Sequence, residues 1–342
     1  MTLARTWLWL TAGLTAAALI SAIVLAPPAG APPVRALTWL LFTGSSVHIA
    51  STGYLFTVPA VREYARAHPV RCRLGPAALG GGTAIAASLI RPAAFQWLLL
   101  PYFGWQFYHY QKQNLGLAAL AAAAGRVRPL TSAERWPLLA AGWSAVGAVV
   151  ARPGRLGLRV TMPVSYPLSW VALAAYVIAT AAGLAALARR PASERGPGFS
   201  VIYLLSLAFS LPVFAFTSPY AAIGGLTVAH GLQYLLLVGL VASGPARPGR
   251  TLRLLALANV ALIGSAALSA VSHLHNAAAP GRMLFGAYLG VVMTHFVIDA
   301  GLWRMRDPLA RAFLTAHLNF LRPPASELDG TRARPRPGAS RA

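Results

Sequence analysis

The sequence predicts an all-α fold, a polytopic integral membrane helix bundle of about ten transmembrane helices. Three observations predict it. Of 342 residues, 57% are apolar and only 11% are charged, whereas a soluble domain carries about 25% charged residues. The apolar residues gather in long runs, and ten spans of ~20 residues would occupy roughly 200 positions. The arginines fall between those runs, as membrane topology requires, so the net charge of +22 marks loops and not a nucleic-acid surface.

The runs bracket at 6–26, 36–58, 74–90, 93–120, 136–151, 165–188, 199–217, 219–242, 252–275 and 283–303. The first follows Arg5 and ends at Pro27-Pro28. It is longer than a signal-peptide core and reads as a retained anchor. The third and fifth are short, which suits a tilted or re-entrant segment. Pro and Arg clusters separate most of the others. Loops after the even-numbered spans hold 12 arginines, those after the odd-numbered spans six, and the chain beyond 303 eight more on the first side. Both termini are therefore expected in the cytoplasm, with the protein in a bacterial inner membrane. Arg152, Arg155 and Arg159, after the fifth span, are the discordant trio. The chain divides into a transmembrane domain, 1–306, and a cytoplasmic segment, 307–342. Residues 307–322 read as an amphipathic surface helix and 323–342 as a disordered Arg/Pro-rich tail near anionic lipid. The single cysteine, Cys72, rules out an internal disulfide and any multi-cysteine metal site.

Titratable groups in a bilayer are costly, and each is a functional candidate. Asp299 is the only acid inside a predicted span, and Lys112 is the only lysine in the chain. His48, His109, His230 and His295 lie 12, 16, 11 and 12 residues from the starts of the second, fourth, eighth and tenth spans. These spans run in one direction, so at 1.5 Å per residue the histidines sit ~18, ~24, ~17 and ~18 Å deep, in one layer. Each has a polar residue about one turn further on: Thr52, Gln113, Gln233 with Tyr234, and Asp299 with Trp303 beyond it. A metal-bound imidazole usually gives its second N–H to such a group. His48, His109, His230 and His295 are thus the candidate ligands, with His273 and His275 supplementary. Thr52, Gln113, Gln233 and Asp299 would orient them, Asp299 and Tyr234 would act in catalysis, and Trp105, Tyr108 and Trp303 would line the substrate cavity.

Each candidate also has a plainer role. A lone histidine packs and hydrogen-bonds, Lys112 snorkels to the interface, and His273 with His275 forms an outer-surface pair. Trp39, Trp97 and Trp170 fit an interfacial belt. Gly80-Gly81-Gly82 and Gly224-Gly225 fit close helix packing, and Pro101 and Pro212 fit kinks. One shared depth for four histidines is not explained by packing alone.

Imidazole suits iron, copper and zinc. Non-haem iron is the first expectation, and copper or haem b the others. Zinc hydrolysis lacks acids to serve as base. The H-x-x-x-H boxes of membrane di-iron desaturases are missing, and no C-x-x-C-H exists for haem c. The segments His109-Tyr110-Gln111-Lys112-Gln113-Asn114-Leu115-Gly116, His230-Gly231-Leu232-Gln233-Tyr234 and His295-Phe296-Val297-Ile298-Asp299 resemble motifs of uncharacterised polytopic bacterial membrane proteins. More loosely, the arrangement is similar to the Brp/Blh-type carotene-cleaving dioxygenases. That resemblance implies an all-helical membrane enzyme with one non-haem iron held by histidines from several helices. The expected function is a metal-dependent oxygenase or oxidoreductase acting on a lipophilic substrate, with membrane lipid around it and an electron donor as a further partner. A proton-coupled transporter with His/Asp relay groups, or a haem-binding electron-transfer protein, would use the same residues differently.

Overall fold

The computed structural model describes residues 3–28, 31–160, 165–244 and 249–321. Among them every regular element is a helix. In chain order these are α1 (Leu3–Val24), α2 (Arg35–Phe42), α3 (His48–Leu55), α4 (Pro59–Ala67), α5 (Gly75–Leu89), α6 (Pro92–Ala124) and α7 (Ser132–Ala151). Then follow α8 (Ser165–Arg189), α9 (Pro197–Ala208), α10 (Leu211–Ala215), α11 (Gly225–Ser243), α12 (Arg250–Ser272), α13 (Ala279–Leu302) and α14 (Pro308–His317). Proline stands in the first turn of α4, α6, α9, α13 and α14, where its missing N–H would have no helical partner anyway. A π turn, Thr43–Val47, joins α2 to α3, and two others, Val70–Leu74 and Tyr220–Gly224, lead into α5 and α11.

Among the described residues, six segments are long and apolar enough to cross a membrane: Leu3–Val24, Tyr166–Arg189, Pro197–Ala215, Tyr220–Ser243, Arg250–Asn276 and Ala279–Leu302. The chain is an integral membrane protein on that ground. The remaining four predicted spans coincide with helices of mixed character. The α2–α3 rod carries Ser45, Ser46, His48, Ser51 and Thr52, and α5 has only 15 residues. The 33-residue α6 carries a polar run from Gln111 to Asn114, and α7 starts four residues before the predicted span. That earlier start has a local cause. Thr131 and Glu134 form a reciprocal capping box, which satisfies two orphan N–H groups and extends the helix over Glu134 and Arg135.

Small residues set the closest helix contacts. A Cβ on Gly290 of α13 would strike the Gly80 backbone of α5, and Thr83 Oγ1 donates to the Gly286 carbonyl across the same seam (2.7 Å). A Cβ on Gly80, Gly81 or Gly82 would itself meet nothing within 4 Å, so the close approach rests on Gly286 and Gly290 of α13, with Gly80 contributing its backbone. A Cβ on Gly225 would stand 3.1 Å from Leu19 Cα of α1. Pro212 begins the short α10, after a break at Phe209–Ser210.

Two arginines that the sequence assigns to loops are buried. Arg155, from the discordant trio, donates to the carbonyl of Val213 in α10, and Arg152 donates to Ser169 (3.1 Å). Arg155 thus serves an orphan carbonyl of the short α10, and Arg152 ties the turn to α8. Arg190 is 1% exposed and pairs with Glu134, also 1% exposed, at 3.0 Å. Tyr203 donates to the Glu134 carbonyl (2.9 Å), and Arg128 bridges Glu134 (3.4 Å) and Glu194 (2.5 Å). The ends of α6, α7, α8 and α9 are stapled together at this point.

Within the segment read as an amphipathic surface helix, α14 is capped by Asp307, which accepts from the N–H groups of Leu309 and Ala310. Its apolar face, Ala310, Phe313 and Leu314, packs on Tyr64 and Leu302 of the bundle rather than facing lipid. His68 Nε2 meets Asp307 Oδ2 at 3.1 Å and fastens the start of α14. The tail read as disordered, 323–342, lies outside the described residues.

Candidate metal centre

Four helices, α3, α6, α11 and α13, each carry one deep histidine, and a backbone crossing draws two of them together. A Cβ on Gly231 would stand 2.5 Å from the Gly44 carbonyl oxygen, and one on Gly44 would stand 2.5 Å from Val228 Cα. The rod containing α3 thus crosses α11 in backbone contact. His48 is one turn beyond Gly44 and His230 adjoins Gly231, so their rings meet at 4.9 Å between centroids.

The other two histidines complete a four-sided figure. His230 to His109 is 5.0 Å, His109 to His295 is 5.2 Å, and His295 back to His48 is 5.0 Å; the His230–His295 diagonal is 6.2 Å. None of the four is more than 7% exposed. Phe296 stacks on His109 (4.5 Å) and Tyr110 on His230 (4.3 Å), which walls the figure with aromatic faces.

Six ring nitrogens here have no well-formed hydrogen bond: both of His48, both of His230, and Nε2 of His109 and of His295. His48 also lies against the backbone of Gly44 and Ser45; for the other rings, each buried nitrogen left without a partner costs on the order of 1–3 kcal/mol. Asp299 faces the figure without closing a hydrogen bond, its Oδ2 lying 3.6 Å from His295 Nε2 and 3.9 Å from His109 Nε2. Two overlapping triads have ligand atoms mutually within 4.8 Å: His48, His230 and His295, and His109, His295 and Asp299.

The satisfied side of the site is a directed chain. Asp299 Oδ1 accepts from the Tyr234 hydroxyl (3.1 Å). With that proton committed, the Tyr234 oxygen accepts from Thr52 Oγ1 (2.9 Å), and Thr52 accepts from His295 Nδ1–H (2.7 Å). This assignment of protons follows from the network. It leaves the Nε2 lone pair of His295 pointing toward the other rings.

The remaining candidates are placed differently. Gln113 donates to the backbone carbonyl of His230 (3.0 Å) and to Gln233 (2.9 Å), not to an imidazole. Gln233 donates on to Thr15 (2.8 Å) and Asn114 (3.4 Å), so both glutamines brace α1, α6 and α11. Trp303 packs beside Tyr234 (6.1 Å) and Trp105 behind Phe296 (5.7 Å), both one layer from the histidines. Tyr108 faces Trp143 (4.8 Å), away from the quartet. His273 and His275 are exposed in a turn after α12 and do not join the centre. Tyr110, not among the sequence candidates, is the nearest aromatic wall. Its hydroxyl is held by Gln106 (2.5 Å) and Thr227 (3.2 Å). The available signal was its position directly after His109 in an aromatic-rich run.

Comparison with protein-family models, curated proteins and solved structures finds no match to this chain. Its chemistry has to be taken from the side chains themselves.

Proposed function

We propose that the chain is a membrane-embedded metalloenzyme that uses O₂ to oxidise a lipophilic substrate at a non-haem iron held by His48, His109, His230 and His295. One observation carries this: the rings of four buried histidines stand 4.9–5.2 Å apart around a four-sided figure, and ligand atoms of His48, His230 and His295, and of His109, His295 and Asp299, lie within 4.8 Å of one another. With metal–imidazole bonds of about 2.0–2.1 Å, two rings on one ion stand roughly 4.5–5.3 Å apart between centres, from right-angle to tetrahedral disposition. The observed sides of 4.9–5.2 Å fall in that range. Sides of that length leave no room for a porphyrin among the four rings, which favours a bare ion over haem b. Iron ranks ahead of copper for oxygen chemistry on an all-imidazole set with one nearby carboxylate.

In this reading all ten predicted segments cross a bacterial inner membrane, with both termini in the cytoplasm. Asp299 supplies a carboxylate beside the ion. Tyr234 and Thr52 are positioning residues, since their hydroxyls are spent on the chain from Asp299 to His295. Dioxygenation, as in the carotene-cleaving enzymes the sequence loosely resembles, places both oxygen atoms in the substrate and needs no outside reductant. Hydroxylation would place one oxygen in the substrate and release the other as water, with two electrons and two protons from a donor.

The test is metal analysis by mass spectrometry, with a visible spectrum, on detergent-purified protein carrying no histidine tag. About one iron per chain without a Soret band is expected. If neither the purified protein nor protein offered iron(II), copper or zinc anaerobically holds stoichiometric metal, the proposal fails and a proton-relay carrier replaces it.

A further inference from the structure

At the end of α6 remote from the Glu134–Arg190 staple lies a cavity of about 310 Å³. It is bounded by the starts of α6 and α13, the end of α5, and the turns around Leu156 and His275. That volume is at the lower end of small-molecule sites, roughly 300–1,000 Å³. Its walls are of two kinds. Phe95, Leu99, Phe103 and Phe285 make an apolar body, and Gln96, His275, Asn276 and Arg282 supply polar groups.

Arg282 carries the sharpest signal. Its Nε and Nη2 donate to the carbonyls of Ala87 and Ser88 (3.0 Å each), and Nη1 to Ala277 (3.4 Å). A guanidinium has five N–H groups, so two remain beyond these bonds. The partners are carbonyls, which leave its positive charge uncompensated. Gln96 is fixed by accepting the Arg159 N–H (2.6 Å), which pins the turn wall to α6. A fixed, half-buried cation beside an apolar chamber fits an amphiphile with an anionic head.

The chamber also lies in line with the histidines. Phe95 and Ala87 on its wall belong to one apolar cluster with Met293 and Phe296, and Phe296 stacks on His109. Along α6, Phe103 is six residues before His109, ~9 Å. Along α13, Phe285 is ten residues before His295, ~15 Å. The layer between holds Met293 and Phe296 together with Tyr102 and Tyr288, and Met293 within it is the readily rearranged side chain.

We infer that this cavity is the entry chamber for the substrate, a long-chain amphiphile with an anionic head. The head stays at Arg282, and the chain passes Phe103, Met293 and Phe296 toward the histidines. This rests on the oxidative function proposed above and narrows it, placing the oxidised position roughly 20 Å from the head, since Arg282 is 13 residues before His295 on α13.

The test is photolabelling of the full-length protein in detergent with a palmitic-acid analogue bearing a terminal diazirine, followed by peptide mapping. Label is expected on peptides spanning 95–109 and 285–299. Unlabelled palmitate should compete at least tenfold better than hexadecane. Leu99→Trp and, from the opposite wall, Leu158→Trp should each reduce that label at least tenfold. Metal content measured on the same samples reports both folding and the centre. Label spread over α8 and α12, or unchanged in both tryptophan variants at native metal content, overturns the chamber and leaves the centre standing. Chamber-specific label on a protein that binds no metal overturns the oxidative function and keeps the chamber as an amphiphile site.

Discussion

Replacing Thr52 by valine would remove one hydroxyl and almost no volume, yet it cuts the chain from Asp299 to His295 in its middle. Thr52 is 5% exposed, and its oxygen serves both His295 Nδ1 (2.7 Å) and Tyr234 (2.9 Å). Valine leaves a buried N–H without an acceptor and a phenol oxygen without its donor, each costing about 1–3 kcal/mol. The imidazole can recover part of this by rotating or by moving its proton to Nε2. Either response withdraws the lone pair directed at the centre. Loss of a hydrogen-bond partner behind a ligand typically weakens metal binding 10–100-fold, about 1.4–2.7 kcal/mol. Anaerobic titration with iron(II), or with cobalt(II) as a spectroscopic substitute, should show that loss in T52V. T52S, which keeps the oxygen, should bind within about threefold of the native protein. Equal metal affinity in T52V and the native protein, at equal folded fraction, would refute the directed chain and with it the role of His295 Nε2.

Three other expectations follow from the same geometry. Gly231→Ala drives a methyl to 2.5 Å from the Gly44 carbonyl; overpacking of this kind costs about 1–3 kcal/mol, so a lower Tm and loss of bound metal are expected, and retention of both would refute the crossing as the device that pairs His48 with His230. Glu134→Gln leaves the buried Arg190 with only the Glu194 carboxylate, at 3.7 Å, and should destabilise by up to about 3–5 kcal/mol, read by thermal unfolding in detergent, while metal per folded chain stays unchanged. His273→Ala, in an exposed turn, should leave metal content unaltered by mass spectrometry; a loss would bring that turn into the centre.

The level of each histidine along its helix was legible in the sequence, and convergence was not. The position of each histidine within its apolar run sets how far along its helix it lies, because helix rise is constant. The one-turn spacing likewise places Asp299 beneath His295 on one face of α13, and the two lie 3.6 Å apart. The same rule says nothing about helix rotation or neighbours. Thr52 is one turn from His48 but bonds His295 on another helix, and Gln113 is one turn from His109 but reaches the His230 backbone. Gly44 and Gly231, beside two of the histidines, were the residues that carried the crossing, and only a paired backbone shows that they meet. Glu134 was set outside its span because polar residues read as loop, although the Thr131–Glu134 spacing marks a helix start.

The hydrogen bond between Thr52 and His295 joins residues 243 apart. During synthesis, His48 on α3 is made well before the three histidines that it meets. α13, the last of the long apolar segments, brings both His295 and Asp299, and α14 then packs over Leu302 behind it. The four-histidine figure therefore cannot form before α13 is made, and a chain truncated before α13 would lack both His295 and Asp299.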